Sequence, residues 1–414
     1  MRNRQLKNPV LQKSTSKNGR IIVFTGARQT GKTTLAKKIF PDYEFISVED
    51  PVLRSRYTQL SAQQWKNLYP RAILDEVQKE PVLIESIKSV YDQWPEPRYV
   101  LSGSSQLLLM EKVRESLAGR CTILELFPLT LPEMRTQSWD DTVEESLFQQ
   151  YISIRNTDWL PSSLFDKQLA AKQKAWEHYI SFGGYPYVSD EELTTEEKLD
   201  WLRNYVKTYL ERDIRDLALF RDLEPFVKLQ RYTAINTGTL INASAVATQL
   251  GISAKTVSRY INYMEISYQT ILLQAWSHNE NKRLVKMPKI HFLDPGIMQT
   301  VLQKQGGITG NEFESLVIAE IYKQVKNMQA DARFYHLRTY DGKEVDLLIE
   351  LADGYLPFEI KMKDVADKQD TRHLATLGEI LDKPLIHSFL LTNDPETRQF
   401  GEGITALNVA YFLG

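Results

Sequence analysis

The feature that most constrains this 414-residue chain is a glycine-rich turn between a short apolar run and a helix-forming segment. Residues 26–33 have the spacing G-x-x-x-x-G-K-T and follow the apolar residues 21–24. A buried strand leading to such a turn directs backbone N–H groups and the positive end of a helix dipole at phosphate oxygens. The pattern therefore predicts a phosphate-binding loop. The residues expected to contact a nucleoside triphosphate are Gly26, Arg28, Gln29, Thr30, Gly31, Lys32, Thr33 and Thr34.

Two loop side chains and two carboxylates define the expected chemistry. Lys32 is expected to reach the β and γ phosphates, and the Thr33 hydroxyl to bind magnesium. Asp75 and Glu76 directly follow the apolar residues 72–74, so a parallel strand would leave both carboxylates beside the loop. Asp75 is predicted to hold Mg²⁺ through water, and Glu76 to orient and polarise the water that attacks the γ-phosphate. The expected ligand is ATP with Mg²⁺.

Further candidates follow the next strand, predicted at residues 99–101. Ser102 or Ser104 would hydrogen-bond the attacking water or the γ-phosphate, although a serine-rich turn explains them equally well. Arg114 or Arg120 would neutralise transition-state charge on the nucleotide of a neighbouring subunit. That role implies a homo-oligomer, for example a hexamer.

Composition limits the class of protein. The chain is long enough for several domains with cores of their own, and its single cysteine, Cys121, excludes an internal disulfide and fits a reducing compartment. No segment supplies the roughly 20 apolar residues of a membrane span, and the N-terminus has no apolar signal region. We therefore expect a cytoplasmic protein without membrane partners.

A second pattern predicts a helix-turn-helix between residues 242 and 264. Gly251 suits the left-handed position that ends the first helix, and Ser253 can cap the second. Residues 229–289 also carry seven basic against two acidic residues. DNA contact is one interpretation, and a helical module for packing or subunit contact is the other. The residues expected to reach DNA are Lys255, Thr256, Ser258 and Arg259.

Near the C-terminus, residues 344–361 predict a β-hairpin. Asp353 and Gly354 form a strong two-residue turn signal. Counting back from that turn places Asp346 opposite Lys361. The alternation of side chains along a strand then puts the two on one face of the sheet.

Glu359 shares that face, so two carboxylates and a lysine are expected to converge. Such a set suits phosphodiester cleavage with Mg²⁺ or Mn²⁺, in which Asp346 and Glu359 hold a metal that activates water and Lys361 steadies the developing charge. This is the D…E-x-K pattern of restriction-endonuclease-like folds. Glu314, on an amphipathic helix predicted from residue 310, would add a carboxylate. The alternative is a surface hairpin with solvated charges.

Together these motifs resemble those of prokaryotic AAA+-type P-loop ATPases fused to a winged helix and a C-terminal PD-(D/E)XK nuclease-like domain. The resemblance implies an α/β fold with a parallel-sheet ATPase core at 1–135, a helical linker at 136–228, a winged helix-turn-helix at 229–304 and an α/β restriction-endonuclease-like domain at 305–414. The segments that carry it are 26–34, 74–78, 101–105, 116–120, 183–186, 209–214, 289–296 and 344–361.

Two functional hypotheses follow from these patterns. The first is an oligomeric ATPase that moves or remodels DNA, with branched or damaged DNA as one substrate class, and cleaves it at the C-terminal carboxylates. The second is a nucleotide-gated switch whose C-terminal part binds DNA or a protein without cutting. Metal-dependent scission separates the two hypotheses.

Overall fold

The computed structural model describes the chain except residues 104–112, 114, 157–162, 164–165, 211–222, 280, 282, 284–285, 305 and 341. The predictions for Ser104 and Arg114 therefore lie outside the described residues. Within the described part, no helix combines the length and the apolar character that crossing a bilayer requires.

The N-terminal part is built on a five-stranded parallel sheet. Its strands are β1 Ile21–Thr25, β2 Glu44–Ser47, β3 Arg71–Asp75, β4 Arg98–Ser102 and β5 Thr122–Glu125. Their order is β2-β3-β4-β1-β5, which leaves β1 between two neighbours. Ile21 and Val23 pack into one core and Ile22 and Phe24 into another, because alternate side chains of a strand point to opposite faces.

Helices cover both faces of this sheet. The helix Val82–Gln93 shows why they form: it buries Leu83, Ile84, Ile87 and Val90, which lie on one face at helical spacing. The helices up to residue 135 are α1 Lys7–Ser14, α2 Lys32–Ile39, α3 Pro51–Thr58, α4 Ala62–Leu68, α5 Val82–Gln93 and α6 Leu131–Met134.

Helices dominate the segment after residue 135. The predicted helix-turn-helix region contains two helices, with Gly251 in the left-handed conformation at the end of the first. The Ser253 hydroxyl caps the second by accepting the Thr256 N–H at 3.1 Å. The helices are α7 Leu147–Ile154, α8 Leu169–Phe182, α9 Thr195–Tyr205 (followed by a π-helical turn, Val206–Leu210), α10 Glu224–Ile235, α11 Ala243–Leu250, α12 Ala254–Ile266, α13 Pro295–Leu302, α14 Gly310–Asn327 and α15 Val409–Leu413.

A second, nine-stranded sheet crosses the boundary predicted at residue 304. Its strands are β6 Thr239–Leu240, β7 Thr270–Ala275, β8 Lys289–Phe292, β9 Arg333–Arg338, β10 Glu344–Glu350, β11 Tyr355–Ile360, β12 Ser388–Thr392, β13 Arg398–Gln399 and β14 Ile404–Asn408. The order is β13-β14-β12-β11-β10-β9-β7-β8-β6. Parallel pairing of β7 with β9 joins the two predicted domains, so side chains from both lie on one sheet.

The hairpin β10–β11 forms, but its predicted two-residue turn and register are wrong. Leu348 pairs with Pro357, two residues away from the predicted alignment, and residues 351–354 form the loop. A type I′ turn needs positive φ at both central residues, and Asp353 does not have it. A tertiary contact sets the register of the hairpin instead, because the Pro384 carbonyl accepts the Tyr355 N–H at 2.8 Å. A shift of two residues keeps every side chain on its predicted face.

The two parts of the chain meet at the glycine pair Gly183–Gly184. The Gly184 N–H donates to Asp294 Oδ2 at 2.8 Å, and its carbonyl accepts the Leu129 N–H at 2.6 Å. A Cβ atom on Gly184 would lie 2.3 Å from the Leu129 oxygen. Backbone therefore approaches backbone too closely there for any side chain.

We expect Gly184→Ala to destabilise the fold by about 1–3 kcal/mol, the usual cost of overpacking a tight contact. Gly310→Ala is the matched control, because a Cβ there meets no heavy atom within 4 Å. The urea midpoint measured by circular dichroism should fall for the first variant only. Equal midpoints would show that the Leu129 contact is not tight.

Candidate functional site

The glycine-rich turn has the backbone shape that a phosphate-binding loop needs. Gly26, Gln29 and Gly31 have positive φ values of 138°, 61° and 93°, and α2 begins at the next residue, Lys32. A Cβ on Gly26 would lie 2.2 Å from the Leu126 carbonyl oxygen, so the turn packs directly on the end of β5. This arrangement places the helix N-terminus at the carboxyl edge of the sheet, where backbone N–H groups can bind an anion.

The predicted nucleotide ligands lie together on this turn. Lys32 Nζ donates to the carbonyls of Gly26 and Ala27 at 2.9 and 2.7 Å. The Thr30 hydroxyl donates to the Ala27 carbonyl at 2.9 Å. The turn thus holds its own shape through a buried ammonium and a buried hydroxyl. Of the predicted set, Gly26, Thr30 and Lys32 are buried, Arg28, Gly31 and Thr33 are half-buried, and Gln29 and Thr34 are exposed.

A hydroxyl and a carboxylate converge beside the turn. Thr33 Oγ1 donates to Asp75, lying 3.0 Å from Oδ1 and 2.9 Å from Oδ2. Burial raises the pKa of Asp75, and the Thr33 hydrogen bond offsets part of that rise. The Thr33 hydroxyl and the poorly solvated Asp75 carboxylate are hard oxygen donors of the kind that Mg²⁺ prefers. The ion would supply the positive charge that the carboxylate lacks. Glu76 follows in the left-handed conformation and accepts a hydrogen bond from Gln78 at 2.5 Å.

Two residues outside the predicted site donate hydrogen bonds to backbone carbonyls of the turn. The Arg4 guanidinium donates to the Thr30 carbonyl at 2.8 Å and pairs with buried Glu133 at 3.1 Å. The Tyr205 hydroxyl, at the end of α9, donates to the Arg28 carbonyl at 3.1 Å. Sequence reasoning missed both residues, because they lie far along the chain from the turn and belong to no local pattern.

A third missed residue ties the helix-turn-helix region to the sheet. The buried Tyr268 hydroxyl, just after α12, lies 3.1 Å from Thr25 Oγ1 and 3.0 Å from Glu125 Oε1. Thr25 and Glu125 end the two strands that flank the phosphate loop. Tyr268 therefore connects the ends of these two strands with the segment that carries α12.

The predicted DNA-contacting side chains lie on the surface of α12. Lys255, Ser258 and Arg259 are exposed, whereas Val257 between them is buried. Thr256 is half-buried, and its hydroxyl lies 2.8 Å from the Ser253 hydroxyl that caps the helix.

Arg120, predicted to act on a neighbouring subunit, pairs within its own chain. Its Nε donates to Asp92 Oδ1 at 2.7 Å, and both side chains are about a third exposed, at 34% and 41%. A role in a neighbouring subunit stays a prediction and requires this exposed ion pair to open.

The C-terminal residues predicted as a nuclease-type set do meet. Lys361 Nζ lies 2.7 Å from Glu359 Oε1 and 3.4 Å from Asp346 Oδ2. The Ile360 N–H also donates to Asp346 Oδ2, at 2.9 Å. These groups line a cleft with a cavity of about 730 Å³, which Glu314 also lines.

A second lysine, which sequence reasoning did not assign, lies inside this cleft. Lys289 Nζ is 3.1 Å from Glu314 Oε1, 2.9 Å from Glu344 Oε1 and 3.8 Å from Asp346 Oδ1. The lysine starts β8, and the carboxylates come from α14 and β10. Lys289 and Lys361 thus lie among four carboxylates (the fourth is Glu359), and Asp370 also lines the cleft.

Burial dominates the electrostatics of the cleft. It raises the pKa values of Glu314 and Glu359, and the negative charge of Asp346 raises them further. Burial also opposes the charge of Lys289, but Glu314, Asp346 and Glu344 outweigh it and raise the pKa of the ammonium. Glu359 Oε2 is buried without a hydrogen-bond partner among the described residues.

The fit of a divalent metal differs between the two sites. In the described part of the chain, no group of three or more His, Cys, Asp or Glu side chains is arranged to hold a metal ion. In the C-terminal cleft, Lys289 lies where a cation would neutralise the carboxylates. The residues there do not fit a metal as well as Thr33 and Asp75 do.

The match to known families agrees with the geometry of the N-terminal site. Residues 18–135 match a family model described as an AAA domain. The five-stranded parallel sheet with its phosphate-binding loop fits a P-loop ATPase core. Two further segments match models that are each described as a domain of unknown function, DUF8612 over residues 173–306 and DUF4143 over residues 309–412.

Similarity to known proteins extends beyond residues 18–135. An uncharacterized protein of Mycobacterium tuberculosis is 26% identical over 352 residues, covering 82% of this chain and 70% of that protein. One of Methanocaldococcus jannaschii is 24% identical over 355 residues, covering 80% and 72%. Among solved structures, the Walker-type ATPase of Pyrococcus abyssi aligns with a TM-score of 0.47 and 13% identity, covering 73% of this chain and 96% of that one.

We expect Glu359→Gln to change the pH dependence of stability. Because the folded-state pKa of Glu359 is raised from 4.5, the folded protein keeps a proton that the unfolded chain has lost, and stability falls as pH rises through the folded pKa. Because glutamine does not titrate, the variant does not lose stability in this way. Its melting temperature relative to wild type should therefore be higher at pH 8 than at pH 5, by roughly 2 °C.

Scanning calorimetry at both pH values measures this difference. Glu402→Gln, at an exposed position, provides the background effect of the substitution. If the melting temperature of the variant relative to wild type decreased from pH 5 to pH 8, the assigned electrostatics would be contradicted.

Proposed function

We propose that this protein is an ATP-hydrolysing switch that acts on DNA, with its C-terminal half binding rather than cutting. The observation that carries the proposal is the convergence of Lys32, Thr33 and Asp75 at the edge of the parallel sheet. Nucleotide state would reach the rest of the chain through Tyr205 and Tyr268, which contact the loop and the ends of its flanking strands.

The residues of the P-loop domain divide the work of hydrolysis. Lys32 exchanges the carbonyls of its own loop for β- and γ-phosphate oxygens, and the backbone N–H groups of the turn bind the same phosphates. Thr33 and, through water, Asp75 would hold Mg²⁺, which neutralises charge on the phosphates when bound. Glu76 orients and polarises the attacking water. Arg120 or Arg114 of a neighbouring subunit would complete the site in a homo-oligomer.

The helix-turn-helix region supports DNA as the partner. Lys255 and Arg259 are exposed near the N-terminus of α12, and Ser258 lies beside them. Ammonium and guanidinium groups there can contact phosphates or base edges. Tyr268, two residues beyond the end of this helix, touches the strands of the P-loop domain.

A second candidate is metal-dependent DNA cleavage with Mg²⁺ or Mn²⁺ at Asp346 and Glu359. It is favoured by the shared face of Asp346, Glu359 and Lys361 and by Glu359 Oε2, which has no hydrogen-bond partner in the described part of the chain. The ammonium of Lys289 among the carboxylates opposes it. Scission of linear, circular or branched DNA that Asp346→Asn abolishes would establish this activity over simple binding.

We expect Lys32→Ala to lower the ATP hydrolysis rate roughly hundredfold or more, because a charge-stabilising donor to the phosphates is lost. Lys38→Ala, exposed on the same helix, is the matched control and should keep the wild-type rate. Phosphate release with Mg²⁺-ATP is the measurement. An active Lys32→Ala variant would remove the basis of the proposal.

We expect Lys255→Ala to weaken duplex DNA binding and to reduce the slope of log K against log [salt] by about 0.9, the effect of one lost phosphate contact. Lys228→Ala, an exposed lysine of α10 paired with Glu224, is the control. Fluorescence anisotropy at several salt concentrations measures both quantities. An unchanged slope for Lys255→Ala, or an equal loss in both variants, would exclude α12 as the contact.

A further inference from the structure

Lys289 lies on the same sheet as two of the carboxylates that it contacts, Glu344 and Asp346. Lys289 is the first residue of β8, where it pairs with Leu240 of β6 and Leu273 of β7. Strand β7 pairs in turn with β9, and β9 with the strand that carries Asp346. The backbone position of Lys289 is therefore set by strand pairing on both sides.

Both carboxylate oxygens of Asp346 already face an ammonium group. Oδ1 lies 3.8 Å from Lys289 Nζ, and Oδ2 lies 3.4 Å from Lys361 Nζ while also accepting the Ile360 N–H. A divalent ion bound to Asp346 would have to approach one of these ammonium groups closely. Like charges at such a distance in a poorly hydrated cleft repel strongly.

One oxygen of each of three further carboxylates also contacts an ammonium group. Glu314 Oε1 and Glu344 Oε1 both contact Lys289, at 3.1 and 2.9 Å, and Glu359 Oε1 contacts Lys361 at 2.7 Å. The side chain of Lys289 is only 5% exposed, so water cannot screen it effectively.

At the phosphate loop, the Lys32 ammonium donates to the carbonyls of Gly26 and Ala27. Beside it, the Thr33 hydroxyl donates to the Asp75 carboxylate. In the C-terminal cleft, two lysine ammonium groups lie against the Asp346 carboxylate itself.

We infer that Lys289 takes the place of a divalent cation in the C-terminal cleft. The wild-type cleft accordingly binds no Mg²⁺ or Mn²⁺, and replacing Lys289 by an uncharged side chain of similar length converts it into a metal site. The inference does not depend on ATP hydrolysis or on DNA binding, so those proposals can fail without affecting it.

The test is a titration of the full chain with Mn²⁺, followed by electron paramagnetic resonance of the free ion, without nucleotide. We expect Lys289→Met to gain about one Mn²⁺ site of oxygen ligands that wild type lacks. Lys289→Arg, which keeps the positive charge, should gain none. The double variant Lys289→Met/Asp346→Asn should lose the new site, and Mn²⁺ should raise the melting temperature of Lys289→Met alone.

Wild type and Asp346→Asn provide a comparison that does not require Lys289→Met to fold. Equal Mn²⁺ binding by these two proteins supports the inference. A wild-type site that Asp346→Asn abolishes would overturn it, and so would a folded Lys289→Met variant that binds no additional Mn²⁺.

Discussion

The cost of burying carboxylates at the ends of strands shapes both sites of this protein. A carboxylate removed from water is unstable unless a cation or several hydrogen bonds compensate it. Beside the phosphate loop, Asp75 accepts a hydrogen bond from the Thr33 hydroxyl and fits a magnesium ion. In the C-terminal cleft, Asp346 forms ion pairs with Lys289 and Lys361. The same constraint therefore favours nucleotide chemistry at one site and a metal-free cleft at the other.

Much of the first site could be predicted, because its determinants are local in sequence. The turn from Gly26 to Thr33 requires glycines at fixed offsets, and β1 and β3 are short apolar runs whose carboxyl ends must meet at one edge. The two helices around Gly251 follow from local signals too, a left-handed glycine and a serine cap.

Features that depend on distant contacts could not be predicted. The register of β10 and β11 follows from contact with Pro384 rather than from the turn signal at Asp353. Lys289 lies in the cleft because its strand pairs with β7 and β7 pairs with β9. No local sequence pattern predicts the pairing of β7 with β9. Arg4, Tyr205 and Tyr268 contact the phosphate loop or its strands from other segments of the chain, so these contacts become visible only in the fold.

The central claim is that the turn before α2 binds a nucleoside triphosphate with Mg²⁺ held by Thr33 and Asp75. Isothermal titration calorimetry of the full chain with ATP, with and without Mg²⁺, tests it most directly when Thr33→Val is run beside wild type. The structure predicts saturable binding to wild type that Mg²⁺ strengthens, and a loss of that Mg²⁺ dependence in Thr33→Val. No heat of binding to wild type, or the same Mg²⁺ dependence in both proteins, would contradict the account.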